Sequence, residues 1–561
     1  MGNNRSLRVA VEGCGHGKLD SIYASIDKTC EINGWPGIDI LIIGGDFQAV
    51  RNAYDLNCMS APMKYREMGD FHEYYSGARK APYLTIFVGG NHEASNHLWE
   101  LYYGGWVAPN IFYVGAANVI RVGPLRIAGL SGIWKGYNYR KPHYERLPYS
   151  SHDVKSTYHV RELDVRKLLQ LRTQVDVGIS HDWPQGVEWK GDYRDLFRKK
   201  SLFEADAREG QLGSIAAKQV LERLRPSYWF SAHLHIKYSA VVNHGNVLRQ
   251  PKGAPPAPQE SSNKVFLRNE DEIDLDMMDD DEPNQPTIPE KFQIISDPDE
   301  IELALNEGNS VKNVNADQKK DASVGSDIPE EIRARLPESF AYPLNPDSAV
   351  TPRQQPQSPP LDITNDITRF LALDKCLPRR NFLQILEIAS ISEGSPNGES
   401  PVQLEYDKEW LAITRVFANE LQLGDPDARV PPLKDEATYR SLIIEQEEWI
   451  EQNVVKSGKM VIPQNFELTA PVYDPTQVPK VSQQPREYNN PQTKAFCELL
   501  QIKNAFDSSE EDIAARLKAG PRTEHQRMNN RGGKSFGKGG SRGRQGGGGH
   551  RGRGRGRGGS Y

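Results

Sequence analysis

Cysteine is scarce in this 561-residue chain: Cys14, Cys30, Cys58, Cys376 and Cys497 are all there are. They are odd in number, widely spaced and contain no CxxC pair. That argues against a secreted disulfide framework and for a reducing compartment. No apolar run approaches the roughly 20 residues needed to span a bilayer. The opening stretch MGNNRSLRVAVEG lacks the apolar core of a signal peptide. A soluble intracellular protein is therefore expected. Acidic residues are missing altogether from 531–561, whereas 270–282, EDEIDLDMMDDDE, is densely acidic. The net charge of −6 hides these opposed segments.

What is present divides the chain into four parts. Residues 1–250 read as an α/β catalytic domain. Short Val- and Ile-rich runs at 7–11, 38–43, 83–88, 175–179 and 228–232 have strand length and end in glycine or polar residues. NVIRVGPLRIAGLSG predicts a hairpin turning at Gly123-Pro124. GSIAAKQVLERLRP predicts a helix capped by Ser214, with Ala217, Val220, Leu221 and Leu224 on one face. Residues 251–362 are rich in Pro, Ser, Asn, Gln and acids and poor in aromatics. Such a segment cannot bury enough apolar surface to offset its ordering entropy, so a disordered insertion is expected. Residues 363–505 form a smaller, mostly helical part. It opens with two strands over 368–388, expected to join through a Pro-containing turn and to pair with the first region's sheet. Trp410, Ile413, Phe417 and Leu421 share one helix face, and SLIIEQEEWIEQNVV is a second helix. Residues 506–561 form a disordered tail ending in Arg/Gly repeats.

The chemistry-bearing residues follow the strands. VEGCGHG places Cys14 and His16, IIGGDF places Asp46, FVGGNHE places Asn91 and His92, GISHDW places His181, and SAHLHI places His233 and His235. Ligands at successive strand ends converge, because the carboxyl ends of an α/β sheet lie along one crevice. Imidazoles and a carboxylate suit Mn, Fe or Zn, and an Asp can bridge two ions. Any one of these residues alone has a plain reading: Asp46 as a helix cap, Cys14 as a small buried apolar residue. Their order along the chain is what points to a site. His97, His143, His152, His159 and His550 read as ordinary surface histidines. In 132–150, GIWKGYNYRKPHYERLPYS, aromatic and basic residues interleave: Trp134, Lys135, Tyr137, Asn138, Tyr139, Arg140, Lys141, His143, Tyr144 and Tyr149. That pattern suits stacking on unpaired bases and pairing with phosphates.

The ligand order resembles the calcineurin-like metallophosphoesterases over roughly residues 7–245. The resemblance implies a β-sandwich flanked by helices and a site for two ions. It assigns His16 and His235 to one ion and Asn91, His181 and His233 to the other, with Asp46 bridging and His92 as the acid beside them. Longer stretches, among them GGDFQAVRNAYDLNCMSAPMKY, VGGNHEASNHLWELYYGGWVAPNIFYVG and TRFLALDKCLP, are similar to the RNA lariat debranching family over about 1–250 and 363–505. Cys14 belongs to that family's pattern, where the wider family carries Asp. The resemblance implies a metal-dependent hydrolase acting on the 2′,5′-phosphodiester of intron lariats, in the nucleus. It implies one or two divalent transition-metal ions, Fe²⁺, Zn²⁺ or Mn²⁺; because a thiolate prefers softer ions, the ion site at Cys14 is expected to be either weak or selective for Fe²⁺ or Zn²⁺. The expected partner is branched RNA. Splicing or RNA-turnover factors are candidates for the insertion and the tail, and no membrane is expected. Another metal-dependent phosphodiesterase or nuclease of the superfamily is the alternative.

Overall fold

The structure is a computed structural model that describes residues 6–245, 360–391, 402–477, 479–480 and 483–522. The acidic run, the Arg/Gly repeats and His550 lie outside these residues, as does most of the expected insertion. Among the described residues thirteen strands form two sheets: β1 Ser6–Glu12, β2 Ile40–Ile43, β3 Thr85–Phe87, β4 Gly105–Ala108, β5 Ile111–Tyr113, β6 Ala117–Val122, β7 Leu125–Leu130, β8 Val177–Ser180, β9 Tyr228–Ser231, β10 Tyr238–Asn243, β11 Ile367–Ala372, β12 Leu383–Ala389 and β13 Leu404–Tyr406. Among the described residues the first sheet has order β12-β1-β2-β3-β5-β4 and the second β10-β11-β9-β8-β7-β6-β13. All five strands expected from the apolar runs are present.

Their sequence follows from burial on both faces, which favours continuous apolar runs in parallel strands. On β1, Leu7, Val9 and Val11 meet Ile127, Val177, Ile179 and Phe230 of the other sheet. Ala10 faces the opposite way, onto Leu19, Ile22 and Ile26 of the helix Leu19–Asn33. The Gly123-Pro124 hairpin forms with Val122 opposite Leu125. Ser214 caps Ile215–Leu224 by accepting the Ala217 N–H at 3.0 Å. This β-sandwich flanked by helices is the fold expected from the ligand order.

The C-terminal part is built into the sandwich through its strands, as expected. The strands in 368–388 form, but not as a hairpin. β11 inserts between β10 and β9, whereas β12 pairs antiparallel with β1 in the other sheet. β13 pairs with β6. Each strand thereby covers an edge of the sandwich that would otherwise expose unpaired N–H and C=O groups. The helix Lys408–Phe417 buries Trp410, Leu411, Ile413 and Phe417, and Phe417 stacks on Tyr439 of Glu436–Ile450 at 4.8 Å. Its cap, Asp407, also takes the buried Arg126 guanidinium at 2.7 Å. Ordered structure continues past the boundary expected at 505. Phe506 and Ile513 are buried, and a helix spans Glu510–Ala519. No helix among the described residues is long and apolar enough to cross a membrane.

Candidate metal centre and its flanking loops

The parallel strands β1, β2, β3, β8 and β9 deliver all of the expected ligands to one end of the sandwich. One coordinating atom from each of Cys14, His16, Asp46 and His235 lies within 4.8 Å of the others. His16 Nε2 is 3.3 Å from His235 Nε2 and 3.9 Å from Asp46 Oδ2. On the other side of Asp46, His181 Nε2 is 3.5 Å from Oδ1 and 3.1 Å from Asn91 Oδ1. The His233 ring lies 5.0 Å from that of His181. Asp46 thus stands between two groups of donors.

Backbone geometry shows what holds them there. His16, Asp46, His233 and His235 all have positive φ, between 41° and 66°. L-residues avoid this region, at a cost of order 1–3 kcal/mol each, and such strain clusters at functional sites. Two glycines are needed for close approach. A Cβ on Gly45 would lie 2.2 Å from His181 Nδ1, and one on Gly90 would lie 2.1 Å from Asp46 Oδ1.

The electrostatics fit divalent cations. His181 Nδ1 lies 3.0 Å from the Gly44 carbonyl, which can only accept, so the ring proton of the neutral imidazole sits there. Nε2 is left as a lone pair facing the oxygens of Asn91 and Asp46. Converging lone pairs in a buried site are what a cation stabilises. The outer contacts are equally ordered. Gln48 orients His16 at 3.1 Å, and the His233 N–H donates to Cys14 Sγ at 3.2 Å. His92 donates its backbone N–H to Asp46 Oδ1 at 2.8 Å, with its ring 5.8 Å from that of His16.

Two buried acids escaped the sequence reading. Glu93 accepts the backbone N–H groups of Phe47, Gln48 and Gly90 and so ties two ligand loops together. Burial, then Asp46, pushes its carboxyl up to about 7, against the pull of those three donors. Glu12 is pushed well above the carboxylate range by burial, then by Asp46 and Asp374. Glu12 precedes Cys14 and Glu93 follows His92, but nothing local distinguishes them from surface acids.

The 132–150 loop begins where β7 ends. The Trp134 N–H donates to Asp182, next to His181, at 3.1 Å. Tyr137 and Arg140 are exposed, and Trp134, Lys135, Tyr139 and Lys141 are half-buried. Four of the expected RNA contacts are instead interior. Asn138 bonds His159 at 2.8 Å, His143 bonds Asp164 at 2.8 Å, the Tyr144 hydroxyl reaches Ser156 at 3.2 Å, and Tyr149 packs with Cys58, Leu147 and Val154. Interleaved aromatics served two purposes here, and only burial separates them. His97 and His159 are likewise buried, not surface histidines. His97 is pushed down to about 3, by burial first and then by Arg51.

Comparison with known proteins agrees with this architecture. The calcineurin-like phosphoesterase family matches residues 7–237, and the C-terminal domain of lariat debranching enzyme matches 365–505. The lariat debranching enzyme of Schizosaccharomyces pombe is 39% identical over 504 residues, covering 89% of this chain and 96% of its own. The chain belongs to the lariat debranching enzyme family. The Arabidopsis thaliana member is 36% identical over 508 residues (90% and 88% covered), and the Homo sapiens member 37% over 500 (88% and 69%).

In this lariat debranching family member the C-terminal part bonds directly to the 132–150 loop. The Gln484 side chain brackets Tyr149, accepting its N–H at 2.6 Å and donating to its carbonyl at 2.8 Å. Glu487 pairs with Arg146 at 3.3 Å. Arg522 donates to the Tyr144 carbonyl at 3.1 Å and also to that of Gly424. Gln484→Ala removes two hydrogen bonds of about 1 kcal/mol each. The expected result is a severalfold rise in KM for branched RNA with kcat within about twofold, read from initial rates.

Proposed function

We infer that the protein hydrolyses the 2′,5′-phosphodiester at the branch of lariat RNA, linearising the intron. The observation that carries this is the donor set around Asp46, read with membership of the lariat debranching family. Cys14, His16, Asp46 and His235 would hold one divalent ion, and Asn91, His181 and His233, with the other oxygen of Asp46, a second. Divalent cations supply Lewis acidity, bringing the pKa of a bound water toward about 7 and offsetting charge on phosphoryl oxygens. The chain's own residues do the rest. Asp46 keeps the two groups of donors in register, and Gln48 and Glu93 fix the loops that carry them. His92 donates the proton that the departing ribose 2′-oxygen needs. The products are a branch nucleotide with a free 2′-hydroxyl and a released end bearing a 5′-phosphate. Trp134, Lys135, Tyr137, Tyr139, Arg140 and Lys141 present stacking faces and charge to unpaired RNA beside the site. The proposed setting is the nucleus, where intron substrate arises. Splicing or RNA-turnover factors would bind through the insertion and the tail. Incubation with branched RNA and with a linear 3′,5′-linked control tests the reading: only the branch should be cut.

Metal choice is proposed to rest on Cys14, which favours Fe²⁺ or Zn²⁺ over Mg²⁺, with Mn²⁺ between. Cys14→Ser should keep measurable activity with a reordered metal preference, and Cys14→Asp should strengthen Mn²⁺ or Mg²⁺ binding. Metal stoichiometry beside turnover checks both. An unchanged profile in the two variants would reduce Cys14 to a space-filling thiol.

Truncation after Arg522 should leave turnover on a short branched RNA unchanged, because no proposed ligand lies beyond His235 and the Arg522 bond to the 132–150 loop is retained. RNA binding should weaken chiefly at low salt, where Arg–phosphate attraction is least screened. Loss of turnover at saturating RNA would place the tail in the catalytic structure.

A further inference from the structure

The metal centre has a second flank that the hydrolysis reading leaves unused. In the second sheet β11, β9, β8 and β7 run parallel, so the segments leaving them emerge at the same edge. β8 and β9 carry His181, His233 and His235. β7 leads into the 132–150 loop on one side of them, and β11 leads into the turn 373–382 on the other. That turn is stitched to the first metal loop by backbone bonds. The Cys14 N–H donates to Asp374 at 3.3 Å, Cys376 donates to the Cys14 carbonyl at 3.1 Å, and Gly13 donates to Phe382 at 3.1 Å. A Cβ on Gly13 would lie 2.2 Å from the Asp374 carbonyl, so the contact is tight.

The turn reads DKCLPRRNF and is basic. Arg379 and Arg380 are exposed, and the buried Lys375 lies in the same turn. Lys200, at the end of the helix Tyr193–Lys199, joins Arg380 and Lys375 in the field acting on Asp374. Lys18, exposed at the start of Leu19–Asn33, acts on Cys376 of the turn. Three acids temper the patch: Asp374 lies 3.5 Å from Arg380, Asp70 accepts the N–H groups of Leu19 and Asp20, and the buried Glu12 acts on Cys376. The balance is positive, and it abuts the metal loop.

We propose that this basic turn, with Lys18 and Lys200, binds the phosphate backbone of a second RNA arm, opposite the arm held by the 132–150 loop. The inference rests on the hydrolysis reading, because a branch nucleotide is what sends separate strands away from one scissile phosphate. A linear strand needs one entry and one exit, whereas a branch has three arms. Two surfaces on opposite sides of one metal centre suit that geometry.

The test is anisotropy of labelled branched RNA against potassium chloride concentration, with the full chain in a His92→Ala background so that binding is read without turnover. Each single-strand phosphate contact contributes about 0.7 to the slope of log affinity against log salt. Lys200→Ala with Arg379→Ala should lower the slope by about 1.4 on a three-armed RNA. The change should vanish on a branch trimmed to single-nucleotide arms. A control pair far from the site, Lys456→Ala with Lys459→Ala, removes the same charge and should leave the slope unchanged. An equal loss in the control, or the same loss on trimmed RNA, overturns the proposal, as does no loss at all. Cleavage of the trimmed branch by the unmodified protein is scored separately. Its failure would sink the hydrolysis reading, while the binding slopes would still judge the surface.

Discussion

Asp46→Ala should be the most damaging single substitution in the centre, lowering turnover on branched RNA by roughly 10⁴-fold or more. The scale is several kcal/mol of Lewis-acid stabilisation, at about 1.36 kcal/mol per factor of ten. The reason is positional. One oxygen of Asp46 faces His16 and the other faces His181, so one substitution removes a donor from both groups. It also removes the acceptor that fixes the His92 backbone. His16→Ala spares the His181 group and should do less harm, and Cys14→Ser less again. Metal content per chain should fall with activity for Asp46→Ala. Full metal retention with lost turnover would mean that Asp46 shapes the loop without bridging.

His92→Ala should lower kcat by about 10²–10⁴-fold while leaving metal content unchanged, because the proposed ligands are untouched. Only the side chain is lost. The backbone N–H that supports Asp46 remains, so the metal loops should keep their shape. A 2′-linked substrate whose leaving group needs no proton should recover most of the loss. Equal damage on both substrates would remove the general-acid role and leave His92 as a contact to the phosphoryl group.

The centre was largely legible in the sequence because each ligand sits within a few residues of its strand, so local patterning and spatial convergence carry the same information. The convergence of Cys14, His16, Asp46, Asn91, His181, His233 and His235 followed from the order of strands, and their grouping around two ions was what the family resemblance implied. Long-range pairing was not legible. Nothing in TRFLALDKCLP reveals that β11 and β12 join different sheets, because edge coverage is decided by partners more than a hundred residues away. Nor could the loop reading separate Tyr137, which is exposed, from Tyr144 and Tyr149, which are buried. Aromatic residues serve cores and bases alike, and only packing tells them apart. Gln484 and Arg522 gave no signal, since an isolated Gln or Arg in a polar stretch looks like solvated surface.

The divided path of β11 and β12 also bears on how the chain is made. β1 emerges from the ribosome long before its partner β12. Among the described residues β10 reaches the sheet only through β11. The Cys14 backbone likewise bonds Asp374 and Cys376, both in the turn that follows β11. A nascent chain that stops short of β11 therefore carries every ligand and still lacks the frame that sets the first metal loop. Closing so long a loop adds little thermodynamic cost, about 0.6 kcal/mol for each doubling of its length, which leaves the insertion free to vary in size. The delay is kinetic, because contacts this distant in sequence form late. Premature stop codons anywhere before β12 should thus behave as null alleles, and activity should appear only after translation has passed the second half of the sandwich.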